Sequence, residues 1–253
     1  MRIDEAAALL SRRATFALLA PLVAFNPRGG FAEPPPAPFE PLPPSSPKIT
    51  SRASLAIAIG TAEPKMLTVG LYGDEAPKSV DLFRGLCAGT LDGGLTYRGS
   101  TGTRVEPDRA IVLGHLSAGS AQEIERSIDS TGYVRSTLVN LAEQYTNDDA
   151  NALSHDRPGL VSMRKGGGEF EFVLTPKSNP SLDVNRVVIG EVIDSDSLAL
   201  VRDLNTVPSR KPKAETEAYL AVAKASGDPR ARVDQAWRPL QKIQIMSASV
   251  LPP

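Results

Sequence analysis

Eight of the chain's 22 prolines fall between Glu33 and Pro47, in the run Glu-Pro-Pro-Pro-Ala-Pro-Phe-Glu-Pro-Leu-Pro-Pro-Ser-Ser-Pro. Proline fixes φ and removes a backbone donor, so this stretch is excluded from helix and from any central strand. It is expected to be an extended polyproline II spacer over 33–48, with a ligand for aromatic-grooved modules as the alternative. The block also partitions the chain. It leaves residues 49–253 as the part that can form a folded domain, a length ample for burying a core.

Ahead of the block, Arg12-Arg13 precede the apolar run Ala14–Phe25, and a small-residue site ends at Ala32. A charged region, an apolar region of about a dozen residues and a small residue at the cut are the three parts of a cleavable signal. Residues 1–32 are therefore expected to be a targeting signal, with the mature chain starting at Glu33. The paired arginines resemble a twin-arginine translocation signal, although Phe16 stands three positions after Arg13, one later than the usual pattern. The alternative is an ordinary amphipathic N-terminal helix. The run is shorter than the roughly 20 apolar residues a membrane span needs, so no stable span is expected.

With 28 Lys+Arg against 29 Asp+Glu, the charge balance argues against nucleic acid as a partner. One cysteine and two histidines exclude an internal disulfide framework and leave metal chemistry few ligands. No metal or cofactor is expected.

From Ile49 onward the pattern changes to short alternating segments. Ser54–Ile59 and Lys65–Tyr72 read as strands joined by a turn at Gly60–Pro64. A helix opens near Pro77, carries Val80, Phe83, Arg84 and Cys87 at helical spacing, and stops at Gly89. That spacing makes Cys87 a buried packing residue rather than a reactive thiol. Thr103–Val105, Ala110–Leu113, Gly159–Met163, Phe170–Thr175, Val187–Gly190 and Leu240–Val250 read as further strands, with a turn at Gly166–Gly168. Asp196–Leu204 reads as a helix capped by Asp196 with Leu198, Val201 and Leu204 inward, and Lys213–Ala225 as a charged helical segment. Residues 116–156 are polar and poorly periodic outside Ala121–Ile128 and Leu138–Gln144. Many short strands with two or three helices indicate a closed or sandwiched β architecture.

Four blocks then carry a resemblance. Leu71–Cys87 is similar to the strand-to-helix opening of cyclophilins, and Tyr97–Pro107 to the segment holding that family's catalytic arginine. Gly159–Met163 and Leu182–Gly190 continue the match in order. The resemblance spans about 67–207, interrupted at 116–156. It implies a mainly β fold, an eight-stranded antiparallel barrel capped by two helices, here with an added helical insertion before the last strand. It also implies peptidyl-prolyl cis-trans isomerase activity assisting protein folding. The insertions are placed at about 116–156 and 209–237.

The X–Pro bond turns over a barrier of roughly 18–20 kcal/mol because resonance gives its C–N bond partial double-bond character. Lowering it takes a donor aimed at the prolyl nitrogen, an apolar pocket for the ring and a groove for the flanking backbone. No nucleophile or metal is needed. Arg104 falls on the family's catalytic arginine; a barrel residue paired to a carboxylate is the other reading of it. Elsewhere the family's identities are mostly replaced. Its pocket Phe-Met pair falls on Arg109-Ala110, and its groove glutamines on Val112 and Glu171. The small, polar backbone-pairing stretch becomes Arg164-Lys165, and the pocket Phe becomes Val173. The indole falls on Ser181, Leu182 is kept, and the pocket His becomes Arg186. Losing aromatic contacts at up to ~1.5–3 kcal/mol each implies reduced isomerase activity. The alternative is a catalytically weak or inactive binding or assembly module for a protein complex.

The four basic residues, Arg109, Arg164, Lys165 and Arg186, form either a solvated charged surface or a site for an acidic partner. Proline-containing polypeptides are the implied partners, with a protein complex of the lumen as a further one. A twin-arginine-like signal with this kind of divergent cyclophilin resembles chloroplast proteins of the thylakoid lumen that carry a transit peptide. A bacterial periplasm is the alternative.

Overall fold

The computed structural model describes residues 47–128, 130–211, 221, 222, 225 and 236–252. The expectations for a targeting signal at 1–32, for most of the spacer and for most of the Lys213–Ala225 helix lie outside the described residues.

Alternation of apolar and small or polar residues builds β1 (Ser51–Ile59) and β2 (Lys65–Leu71), and the turn between them places Gly60 at positive φ. The sequence gives way to helical spacing at α1 (Pro77–Ala88), where Pro77 occupies the first turn and Gly89 adopts the left-handed cap conformation. Asp74 and Glu75 precede the helix rather than lying in its first turn. Next come β3 (Arg104–Glu106), β4 (Ala110–Leu113), a single helical turn α2 (Ala118–Ala121), β5 (Gln122–Ile128) and β6 (Val134–Asn140). The chain continues with β7 (Leu160–Arg164), β8 (Phe172–Leu174), β9 (Arg186–Val192), α3 (Ser195–Asn205) and β10 (Ile243–Leu251).

Eight strands form one antiparallel sheet in the order β10-β1-β2-β9-β7-β8-β4-β3, as the resemblance implied. Its two ends are drawn together by the chain before β3. Thr101 bridges both His115, just past β4, and Gln244 in β10, while the Gly102 amide donates to the Ile243 carbonyl at 2.9 Å. The sheet curls around a core of inward side chains from every strand, including Leu55, Leu67, Val105, Ile111, Phe172 and Ile189. Phe83 of α1 reaches into this core and packs with Tyr97 and Phe172 in a triad with centroids 5.2–5.4 Å apart. Cys87 lies on the same buried face, and burial pushes its thiol up to about 12, so it packs and does not react.

Two sequence expectations need correction. The cap of α3 is Asp194, whose carboxylate accepts from the Ser197 amide at 2.7 Å, and not Asp196, which lies within the first turn. An acid two residues earlier, with Ser197 at the third helical position, satisfies the free amides better. Second, the stretch 116–156, read as poorly periodic outside Ala121–Ile128 and Leu138–Gln144, contains a hairpin of β5 and β6 separate from the main sheet. Its strands have no alternation with a buried side, because neither face is covered.

Candidate active site

Outward side chains of four adjacent strands form one continuous surface. Arg104 on β3 stands directly opposite Val112 on β4, Val112 opposite Val173 on β8, and Val173 opposite Ser162 on β7. Cross-strand partners share a face, so these four make a row across the outside of the sheet. Ala110 lies two residues from Val112 on that face, beside Glu106. The 3₁₀ turn Pro180–Val184 then brings Leu182 onto Ala110, Val112 and Val173, closing a small apolar cluster. The resemblance named these four positions from separate parts of the chain, and the fold assembles them beside Arg104.

The cluster is tightly closed: Val173 is only 1% exposed. The small side chains and Leu182 pack on one another. Beside them the Ser162 hydroxyl is buried, with no hydrogen-bond partner among the described residues.

Arg104 is held by Glu106, whose Oε2 accepts from Arg104 Nη2 at 3.1 Å. The same carboxylate accepts from Arg109 Nη1 at 2.6 Å through its other oxygen. Glu106 itself is buried, so it fixes one guanidinium beside the apolar cluster and a second, more exposed one at the turn. Arg109 therefore points into an ion pair and not into the cluster.

The neighbouring part of the face is charged. Arg164 and Arg186 stand opposite each other across β7 and β9, and both pair with Glu169, at 2.8 Å and 3.6 Å. Arg186 is the more enclosed, with its side chain 14% exposed and Nη1 buried without an acceptor among the described residues. Burial pushes its guanidinium below the usual range, Arg164 and Arg104 add to this, and Glu169 and Glu171 oppose it. Glu171 is tied down, accepting from Thr103 Oγ1 at 3.2 Å and from His115 Nδ1 at 2.9 Å. Lys165 donates from Nζ to the Asp183 carbonyl, and Ser181 turns outward to hydrogen-bond Asn179 at 2.6 Å. Neither of these two joins the apolar cluster.

Sequence reasoning passed over the group that anchors the Leu182 turn. His155 is fully buried, and its Nδ1–H and backbone N–H both donate to Asp183, the residue after Leu182. Ser154 Oγ donates to the other carboxylate oxygen. The carboxylate acceptor fixes the proton on Nδ1, leaving Nε2 buried and, among the described residues, unpartnered. A signal was present in the sequence, since His155 stands four residues before one block that carries the resemblance and Asp183 lies within another. Trp237 is the only tryptophan. Its carbonyl accepts from the Val105 amide at 2.8 Å, so it lies along the free edge of β3, next to Arg104.

The buried histidine makes stability depend on pH. Burial holds the His155 pKa below its ordinary 6.5, and nearby Arg186 and Lys165 lower it further, against the pull of Asp183. Although partial burial opposes it, the bonds from Ser154 and His155 hold Asp183 below the usual carboxylate range. Above about pH 6.5 the histidine is neutral in both folded and unfolded chains. Below that, only the unfolded chain takes up the proton, so stability falls as pH falls. The Asp183 contribution is lost in a second, more acid window below its unfolded value. The urea midpoint, followed by Trp237 fluorescence, is expected to drop between pH 7 and pH 5. His155→Asn, which keeps a donor near the Nδ1 position, starts lower and flattens that slope; an unchanged slope would refute the assignment.

The curled eight-stranded sheet, its two main helices and an arginine fixed beside an apolar cluster on the outer face define a cyclophilin. The family described as "Cyclophilin type peptidyl-prolyl cis-trans isomerase/CLD" matches residues 56–226, more than half of the chain, and the chain belongs to that family of isomerases, which act on proline-containing polypeptides. Among curated relatives, it is similar to the chloroplastic peptidyl-prolyl cis-trans isomerase CYP28 of Arabidopsis thaliana. The two are 25% identical over 202 residues, covering 73% of this chain and 68% of the relative. No helix among the described residues is long and apolar enough to cross a membrane.

Proposed function

We propose that this chain is a peptidyl-prolyl isomerase of reduced catalytic power, with Arg104 as its catalytic residue and Ala110, Val112, Val173 and Leu182 as its floor for the proline ring. One observation carries the reading: Arg104 stands in a fixed ion pair beside an apolar cluster that is already packed shut. An always-charged guanidinium in that place donates to the prolyl nitrogen as its lone pair leaves resonance. A floor with so little open surface holds the ring weakly, so binding and positioning suffer before the chemistry does. The domain assignment follows, with 49–253 as the catalytic domain, 33–48 as a spacer and 1–32 as a removable signal.

The test is exchange spectroscopy on a short Ala-Pro peptide with the intact chain. The expected result is cis/trans exchange above the spontaneous rate. Arg186→Ala removes an enclosed guanidinium that lacks one acceptor and makes room beside the floor. It is expected to raise kcat/KM about threefold or more, equivalent to roughly 0.7 kcal/mol. No acceleration at any enzyme concentration would favour the second reading, a binding or assembly module. That second reading is supported by the closed floor and by the charged residues that replace the groove's usual small and polar ones.

For location, the relative's chloroplastic name and the Arg12-Arg13 apolar segment support a chloroplast protein sent to the thylakoid lumen, where a protein complex is a further partner. N-terminal sequencing of the protein recovered from the organelle is expected to begin at Glu33. Recovery of an intact Met1 would defeat the signal assignment.

A further inference from the structure

The hairpin of β5 and β6 plays no part in the chemistry described above. Its strands pair only with each other among the described residues, from Gln122 opposite Asn140 to Ile128 opposite Val134. The register puts Ile124 with Leu138, and Ile128 with Val134, on one face, with Arg126 and Ser136 between them. These four apolar side chains are 54–72% exposed, and Tyr133 at the turn is similarly open. Glu123 and Glu125 stand on the opposite face, since they alternate with Ile124 and Arg126. A two-stranded ribbon is marginal alone, and clustered exposed apolar side chains of this kind mark a surface that meets another chain.

The hairpin's position connects this surface to the isomerase face. Its roots, Ala121 and Asn140, line a groove of about 270 Å³ together with His115, Glu169 and Glu171. Glu169 binds Arg164 and Arg186, and Glu171 lies two residues from Val173 in the same strand region. The groove therefore runs from the charged part of the candidate active site to the base of the hairpin.

We propose that the apolar face of the hairpin extends the substrate site and holds the part of a client polypeptide that flanks its X–Pro bond. The favoured segment carries two apolar side chains around a central carboxylate. A strand of seven residues spans about 24 Å, so the face accommodates roughly seven extended residues of client. The carboxylate is required by Arg126. Two copies of the hairpin packed face to face would bury two guanidiniums with no carboxylate on either described face, an unfavourable arrangement. A client with Glu or Asp between its apolar anchors supplies the missing charge. The inference rests on the isomerase reading of the Arg104 face for the position of the X–Pro bond.

The experiment uses the intact chain and three kinds of peptide: a short Ala-Pro core, the core extended on either side by Leu-Thr-Glu-Thr-Leu, and the same extensions with Lys for Glu. One extended peptide is expected to show a KM at least about fivefold below the short one at unchanged kcat, because the added contact acts through effective concentration. The Lys version loses that gain. The exposed double substitution Ile124→Ser/Leu138→Ser abolishes it while leaving the short peptide's kinetics unaltered. An undiminished gain in the double variant overturns the proposal. So does a dimer by light scattering that the variant dissolves, or binding to anionic lipid vesicles that it abolishes. If no peptide is isomerised, the isomerase reading fails by itself, and fluorescence anisotropy of the labelled extended peptides still decides docking. Binding lost in the double variant supports it, and absence of binding refutes it.

Discussion

Arg104→Ala is expected to lower catalysed prolyl exchange by at least about a hundredfold, equivalent to roughly 2.7 kcal/mol of transition-state stabilisation. The reason lies in what the rest of the face offers. Val112, Val173 and Ala110 supply no side-chain donor, and the Ser162 hydroxyl beside Val173 is buried. Arg109, which shares the Glu106 carboxylate with Arg104, is committed to it at 2.6 Å. Arg104→Lys is not expected to restore the rate, since an ammonium on a flexible stem cannot keep both the Glu106 pair and a fixed approach to the prolyl nitrogen. Glu106→Gln, which loosens the arginine without removing it, is expected to fall between the two, mainly in kcat. The fold is expected to survive the two Arg104 changes, because that side chain is partly exposed and Glu106 keeps its pair with Arg109. Wild-type exchange rates in Arg104→Ala would remove this residue from the mechanism.

How much of this was legible in the sequence depends on the range of the interactions involved. The strands of the main sheet are legible as short apolar runs; within them Val105, Ile111, Leu113, Phe172 and Leu174 of the main core alternate with Arg104, Ala110, Val112 and Val173 on the other face, although both sides of β4 and β8 are buried. The same alternation places the candidate site on the outer face. The assembly of Leu182 onto that face was not legible from periodicity, since it depends on a 3₁₀ turn held by His155, Ser154 and Lys165 from distant strands and loops. The family resemblance supplied it instead.

Two kinds of feature stayed hidden. Arg109, Lys165 and Ser181 fall on pocket positions in the alignment of motifs, yet their side chains turn to Glu106, the Asp183 carbonyl and Asn179. A polar side chain near a site follows its best partner, and that partner is set by tertiary contacts. The hairpin was hidden for the opposite reason. With no buried face, Gln122–Ile128 shows some periodicity but no pattern that separates strand from helix or fixes its pairing partner.

Gly190 is the position where a single methyl group is expected to do most damage to the fold. The main sheet consists of two parts, β10-β1-β2 and β9-β7-β8-β4-β3, joined where β2 meets β9 over Val69–Leu71 and Gly190–Val192, and at their far ends by the Thr101 bridges. At that joint Gly190 faces Leu71 on one side and Val161 of β7 on the other. A Cβ built on Gly190 would stand 2.2 Å from the Gly70 carbonyl oxygen and 3.2 Å from the Leu71 Cα. Both are backbone atoms of a paired strand, so no rotamer change relieves the clash. The strands would have to part beyond the ~4.8 Å spacing that their hydrogen bonds require. Gly190→Ala is therefore expected to cost about 3 kcal/mol or more out of a total of roughly 5–15, and Gly190→Val to prevent accumulation of folded protein. Gly119→Ala, where a Cβ meets nothing within 4 Å, serves as the control and leaves the urea midpoint unchanged. Activity is expected to follow stability in this series. β9 carries Arg186 and Val188 against β7, so parting β2 from β9 loosens the strand behind Ser162 and Arg164 before it reaches Arg104. A Gly190→Ala chain with the wild-type unfolding midpoint would show that the two parts of the sheet are held together by the helices and the Thr101 bridges rather than by this joint.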